Sequence, residues 1–236
     1  MINIIYEDNH LLVVEKPVNI PVQEDASKDI DFLTMLKEYI KKRDNKPGNV
    51  YLGLIHRLDR PVGGVMVFAK TSKCASRLSE QVRNRILKKT YYAIVEGRVD
   101  PKGILKDKLL KDTKNNIVKV DPKGKEAILN YELIDYKNNL SLVKIDLKTG
   151  RSHQIRVQLS NHNNPLYGDQ KYNKSSKVGE QLALFAKKLE FNHPTTNERM
   201  VFELQLPNRK PFNIFKRWYF LSRINLTIDL ITSLMG

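Results

Sequence analysis

Residues 125–147 read KEAILNYELIDYKNNLSLVKIDL. Two strand-like stretches, about 125–136 and 140–147, are joined by Lys137-Asn138-Asn139, and asparagine tolerates the tight backbone of a turn. This predicts a hairpin of two long strands. The same grammar recurs on both sides. Upstream, residues 90–96 form a strand signal closed by Gly97, and Val65-Met66-Val67-Phe68-Ala69 reads as a buried strand after a Gly63-Gly64 turn. Residues 50–58 look extended, and residues 2–6 and 11–15 flank Glu7-Asp8-Asn9-His10 as another hairpin. Downstream, strands at about 181–186 and 199–206 flank a turn at Asn192-His193-Pro194. The polar, lysine-rich stretch of about 100–114 reads as a loop.

Helical spacing is confined to three places. Ile30, Leu33, Leu36, Tyr39 and Ile40 recur over 29–43. Ala75, Leu78, Val82 and Ile86 form a stripe over 73–87, with Ser72 as its cap. A short helix runs from Ser152 to Leu159 and ends before Pro165. Strands outnumber helices and tight turns join neighbours, so the fold class is α+β, a mixed and largely antiparallel sheet flanked by helices. Residues 1–215 make the main domain. From Pro211 the chain turns aromatic, with Phe212, Ile214, Phe215, Trp218, Tyr219 and Phe220, and the tail over 216–236 is expected to be a helix packed on the body.

Composition narrows the function classes. The 236 residues are 41% hydrophobic and 28% charged, ordinary for a globular protein. No apolar run is long enough to span a bilayer. The first residues lack a basic, then apolar, leader pattern, and the single cysteine, Cys74, forms no internal disulfide. A cytoplasmic monomer is the expectation. The formal charge of +15 creates a field that attracts polyanions. Nucleic acid is the leading partner, and a lysine-rich compositional bias is the plain alternative. Lys73, Arg77, Arg83 and Arg85 on the second helix read equally as a solvated face or an RNA-facing one.

Three segments hold polar residues that neither a core nor a surface requires. In His56-Arg57-Leu58-Asp59-Arg60, extended spacing puts Arg57 and Asp59 on one face. An acid between two arginines stays ionised even when partly buried, and an ionised carboxylate serves as nucleophile or base. A surface turn with casual ion pairs is the bland reading. In Lys89-Thr90-Tyr91-Tyr92-Ala93, alternation turns one tyrosine inward, as a base-stacking phenol or as half of a cross-strand aromatic pair. In Gly150-Arg151-Ser152-His153-Gln154-Ile155-Arg156, a helix puts Ser152 and Arg156 on one face, and the basic and amide groups suit phosphate or base-edge contacts. Walker and dinucleotide glycine patterns, zinc-helix spacing of His153 and His162, clustered acids and the Gly-x-Ser-x-Gly elbow are all absent from the sequence. Acid chemistry with no metal or cofactor, in a basic protein, is what remains.

Over about residues 2–206 the chain resembles the RluA family of RNA pseudouridine synthases. His56-Arg57-Leu58-Asp59 with Gly64 and Ala69-Lys70 is similar to the first family motif, and Lys89-x-Tyr91-x-Ala93-x-Val95-x-Gly97 to the second. Gly150 through Val157, then Pro165, Gly168-Asp169 and Tyr172, are similar to the third. Leu182-Ala183-Leu184-x-Ala186 with Leu189-x-Phe191-x-His193-Pro194 matches the apolar pocket wall. The resemblance implies a central active-site cleft in which Asp59 is the catalytic acid, Tyr91 holds the base and Arg156 pairs with the acid. It implies that Arg57 takes the place of a flipped base. Substrate contacts are expected at His56, Arg60, Arg151, His153, Gln154, Leu182 and Leu184, and the substrate is ribosomal or transfer RNA. The chain departs from the family at Val62-Gly63, where Thr-Ser is usual, and at Phe185, where His is frequent. It leaves no room for the small N-terminal RNA-binding domain of many relatives, so affinity is expected to come from the catalytic domain.

Overall fold

The computed structural model describes residues 2–215. A first hairpin, β1 (Asn3–Glu7) and β2 (Leu11–Lys16), leads into α1 (Phe32–Arg43), β3 (Gly53–Leu54), β4 (Gly63–Ala69) and α2 (Ser72–Arg83). Then come β5 (Lys88–Glu96), β6 (Lys102–Asp112), β7 (Ile117–Val120), β8 (Lys125–Lys137), β9 (Leu140–Leu147) and α3 (Gln154–Asn161). β10 (Leu184–Asn192), β11 (Arg199–Glu203) and a 3-10 turn at Phe212–Phe215 complete it. The strands form one sheet in the order β1-β2-β4-β10-β5-β9-β8-β6-β7, with β3 on β4 and β11 on β10. Its pairings are antiparallel except β4 beside β10, where Gly63 and Gly64 meet Phe185 and Ala186. The predicted 125–147 hairpin forms, with Asn138 and Asn139 at φ 54° and 56°, the left-handed geometry that a two-residue turn demands.

Alternation divides the core between two faces. Tyr91, Ala93, Val95, Leu129, Val143 and Ile145 pack with α1 and α3 on one side. Leu11, Val13, Val65, Val67 and Phe191 pack with α2 on the other. Ile94, Leu142 and Phe185 on that second side receive Phe212 and Phe215. The remainder of the expected tail helix, 216–236, lies outside the described residues. Where β4 crosses β10, Gly64 sits at φ 130°, and a Cβ there would fall inside the Ala186 carbonyl. Only glycine lets these strands meet, and that crossing carries the segment of Asp59.

Several boundaries differ from expectation, each for a local reason. Asp31 caps α1 by accepting the Thr34 amide at 3.0 Å, so the helix starts at Phe32 and Ile30 is left exposed. Thr71, not Ser72, caps α2, and the left-handed Arg85 stops that helix before Ile86. Residues 102–112 are a strand rather than a loop. Its inward face is Gly103-Leu105-Asp107-Leu109, too polar for period two to stand out among the lysines. The extended 50–58 stretch contributes only a two-residue strand, and β10 runs on to Asn192 instead of ending at 186. α3 begins at Gln154 behind a left-handed His153, so Ser152 neither caps it nor shares its face with Arg156.

Candidate active site

The loop after β3 is fastened from beneath. Leu12, Val14 and Lys16 share the inward face of β2, so the last of them enters the core as an ammonium. Lys16 is 1% exposed and donates to the carbonyls of Pro17 (2.9 Å), Arg60 (3.1 Å) and Val62 (2.9 Å). Burial pulls its pKa down to about 8, against the opposing pull of Asp59. A buried ammonium satisfied by three carbonyls holds residues 59–62 in place.

The side chain of Asp59 projects from this loop into a cavity of about 80 Å³. Arg156, on α3, donates from Nη1 to Asp59 Oδ2 at 3.1 Å. Its other two nitrogens are clamped by Asp169, Nε to Oδ2 at 2.8 Å and Nη2 to Oδ1 at 2.7 Å. Burial opposes the charge on Arg156, but the two carboxylates outweigh it and raise its pKa. Asp169 is 1% exposed and also accepts the amides of Lys171 and Tyr172, which fixes its own position. The Tyr172 ring lies under the guanidinium at 5.1 Å, and its hydroxyl bonds His153 Nδ1 at 2.6 Å. His153 Nε2 is 4.0 Å from Asp59 Oδ2, and burial, in spite of that carboxylate, lowers the imidazole pKa.

β5 supplies the opposite wall. Tyr91 faces the cavity and Tyr92 faces the other side of the sheet, as alternation requires. Burial, reinforced by the Asp59 charge, pushes the Tyr91 phenol well above its ordinary value, so it stays neutral near pH 7. Val62, Leu147, Ile155 and Leu184 make the cavity apolar between its charges. Arg57 stands exposed at the mouth and makes no ion pair among the described residues. Arg151 and Gln154 also line it. Both ends of the Gln154 amide are committed, accepting from Arg151 N and Thr149 Oγ1 and donating to the Ile128 carbonyl.

Three expected substrate contacts lie outside the cavity. His56 alternates inward from Arg57, is buried with Nε2 3.4 Å from the Val67 amide, and has its pKa driven down to about 3 by burial and then by Lys89. Arg60 turns to Ser27, Asp29 and the Asn19 carbonyl, so Arg156 rather than Arg60 is the partner of Asp59. Leu182 is buried in the same core cluster as Leu184 but does not line the cavity. Phe185 points away into the second face, so its difference from histidine does not reach the cavity. Lys16 and Asp169 went unassigned in the sequence. A charge at an inward strand position and an acid following a Pro-x-x-Gly turn were the available signals.

The RNA pseudouridylate synthase family profile matches residues 10–161. The chain is 34% identical over 210 residues to an uncharacterised RNA pseudouridine synthase of Bacillus subtilis, covering 87% of this chain and 69% of that one. It is 35% identical to the ribosomal large subunit pseudouridine synthase C of Buchnera aphidicola, covering 84% and 65%. Its fold is similar to that of human RNA pseudouridylate synthase domain containing 4, with a TM-score of 0.73, 23% identity and coverage of 87% and 88%. The chain belongs to the RluA family of RNA pseudouridylate synthases, isomerases that convert uridine in RNA to pseudouridine.

Proposed function

We propose that Asp59 is the nucleophile that acts on a uridine flipped out of folded ribosomal RNA. The observation that carries this reading is one guanidinium, Arg156, clamped on two nitrogens by a buried carboxylate and offering the third to Asp59 inside a small cavity. The clamp removes the rotational freedom of Arg156 and so aims Asp59. Attack on the anomeric carbon or on the ring leads to one balance. The N1–C1′ bond breaks, a C5–C1′ bond forms, a proton leaves C5 and a proton arrives at N1.

The other side chains take roles from their placement. Neutral Tyr91 packs on the extruded uracil, and Leu184 and Val62 complete its apolar wall. Unpaired Arg57 fills the gap in the stack, and unstacking costs a few kcal/mol, least in a loop. Arg151 and His153 contact the sugar-phosphate at the mouth, while Gln154 shapes the wall through its own hydrogen bonds. The name of the Buchnera relative supports large-subunit ribosomal RNA as the target.

Asp59→Asn keeps the shape of the side chain and removes its nucleophilicity. Single-turnover conversion, read by carbodiimide mapping of pseudouridine, is expected to fall at least about a thousandfold while RNA affinity stays within about twofold. Conversion by the variant at the wild-type rate would sink the assignment. Mapping ribosomal and transfer RNA from cells with and without the gene identifies the target, and a difference confined to transfer RNA would overturn the ribosomal reading.

A further inference from the structure

On the opposite face of the sheet, the ends of β5, β9 and β10 enclose a groove of about 410 Å³, much larger than the Asp59 cavity. Seven cations line it: Arg85, Lys88, Lys89, Lys144, Lys148, Lys187 and Lys188. Three carboxylates stand among them, and each is already engaged. Asp146 accepts the Thr90 hydroxyl at 2.7 Å, Glu203 pairs with Lys187, and Glu190 pairs with Lys188 and Arg199 at 3.2 Å each. Arg85, Lys88, Lys144 and Lys148 have no ion pair among the described residues.

Two features make this more than a solvated basic face. The groove and the Asp59 cavity share Lys89 and Leu147 as lining, so the two adjoin at the end of β5. Lys89 reaches the cavity side, where its Nζ would stand 3.6 Å from a Cβ on Gly150. Lys144 and Lys148 lie on one side of the β9 segment, about 13 Å apart at strand rise. That span exceeds a single anion and suits a chain of phosphates.

We infer that this groove is a phosphodiester track, which binds the RNA strand flanking the target uridine after it passes Lys89. The inference rests on the RNA substrate of the family and is independent of the role given to Asp59. Binding through it is electrostatic and blind to sequence, which adds affinity without choosing the base.

The test compares four proteins, the wild type and three variants, on two RNAs. K88A/K144A/K148A removes three groove cations, and K88R/K144R/K148R keeps them. K37A/K41A/K42A removes as much charge from α1, which packs with Leu12, Val14 and Phe68 on the other face of the sheet. One RNA is a long folded substrate and the other a minimal hairpin too short to reach the groove. On the long RNA the groove alanine variant is expected to raise KM about tenfold and to lower the slope of log Kd against log salt by about two to three. Its single-turnover rate at saturating RNA stays within about twofold of wild type. The arginine variant restores both quantities, and on the short RNA all four proteins agree. An unchanged salt slope in the groove alanine variant, or an equal loss in the α1 variant, overturns the track. Wild-type protein that binds the long RNA with the full slope yet isomerises no uridine would count against the catalytic reading and leave the track standing.

Discussion

Tyr91 and Tyr92 are neighbours on one strand, yet they face two different kinds of site. Beside Tyr91 the central charges are committed, since Asp59, Arg156 and Asp169 satisfy one another, and Arg57, Lys89 and Arg151 stand around them in a small space. Beside Tyr92, five of the seven groove cations stand without ion pairs among the described residues in a wide groove. Chemistry on a base needs a charge whose position is fully determined, and a low-dielectric setting strengthens each pairing. Adhesion to a strand of variable sequence needs charges that are unspent and free to find phosphates. One strand serves both because its side chains alternate.

Arg156→Lys should break the first side most severely. A lysine cannot span Asp169 and Asp59 with a fixed fork, so the aim of Asp59 is lost. The single-turnover rate is expected to fall about a hundredfold with the salt slope of binding unchanged. A fall in the slope as well would mean that the two sides are not separate. Tyr91→Phe sharpens the contrast. If the ring packs on the base, the rate falls less than about tenfold, whereas a loss beyond about a hundredfold in rapid-quench kinetics would assign the hydroxyl a proton-transfer role.

The smallest effect should come from a charge cluster belonging to neither side. Glu7 is held by Arg43 at 2.5 Å and Lys70 at 2.8 Å. The hydrogen bond from Arg43 is the main reason that its pKa falls to about 2 from 4.5, with burial opposing. Because the folded value is the lower one, this stabilisation is full above pH 4.5 and disappears as pH falls towards 2. Urea unfolding of Glu7→Gln should show a loss on the order of 1–2 kcal/mol at pH 7 that closes by about pH 2, with turnover and salt slope untouched. A difference independent of pH would show that packing, not charge, fastens α1 to the first hairpin.

Much of the fold was legible because it rests on local periodicity. The 125–147 hairpin follows from alternation interrupted by two asparagines, and β4 follows from an unbroken apolar run. β6 was not legible, because its inward face carries a glycine and an aspartate whose partner, Gln158, is distant in sequence. At the site, Asp59, Tyr91 and Arg156 stood in motifs that the sequence displays, and the structure brings all three to one cavity. His56 and Arg60 sit in the same motif but turn elsewhere, His56 into the core and Arg60 towards Asp29. Sequence adjacency fixes the spacing of side chains along the chain, not which surroundings each one meets.

The chain alone determined the strand-rich α+β class, the surplus of positive charge, and an aspartate set among arginines in an extended segment. These follow from side-chain period and composition, which are local or additive properties. Only the tertiary structure decided that Arg156 rather than Arg60 meets Asp59, that Asp169 clamps it, and that Lys16 holds the loop from within. It also decided that lysines from β5, β9 and the neighbouring segments share one groove. Each of these is a contact between residues far apart in the chain, and such contacts exist only once the sheet has chosen its strand order.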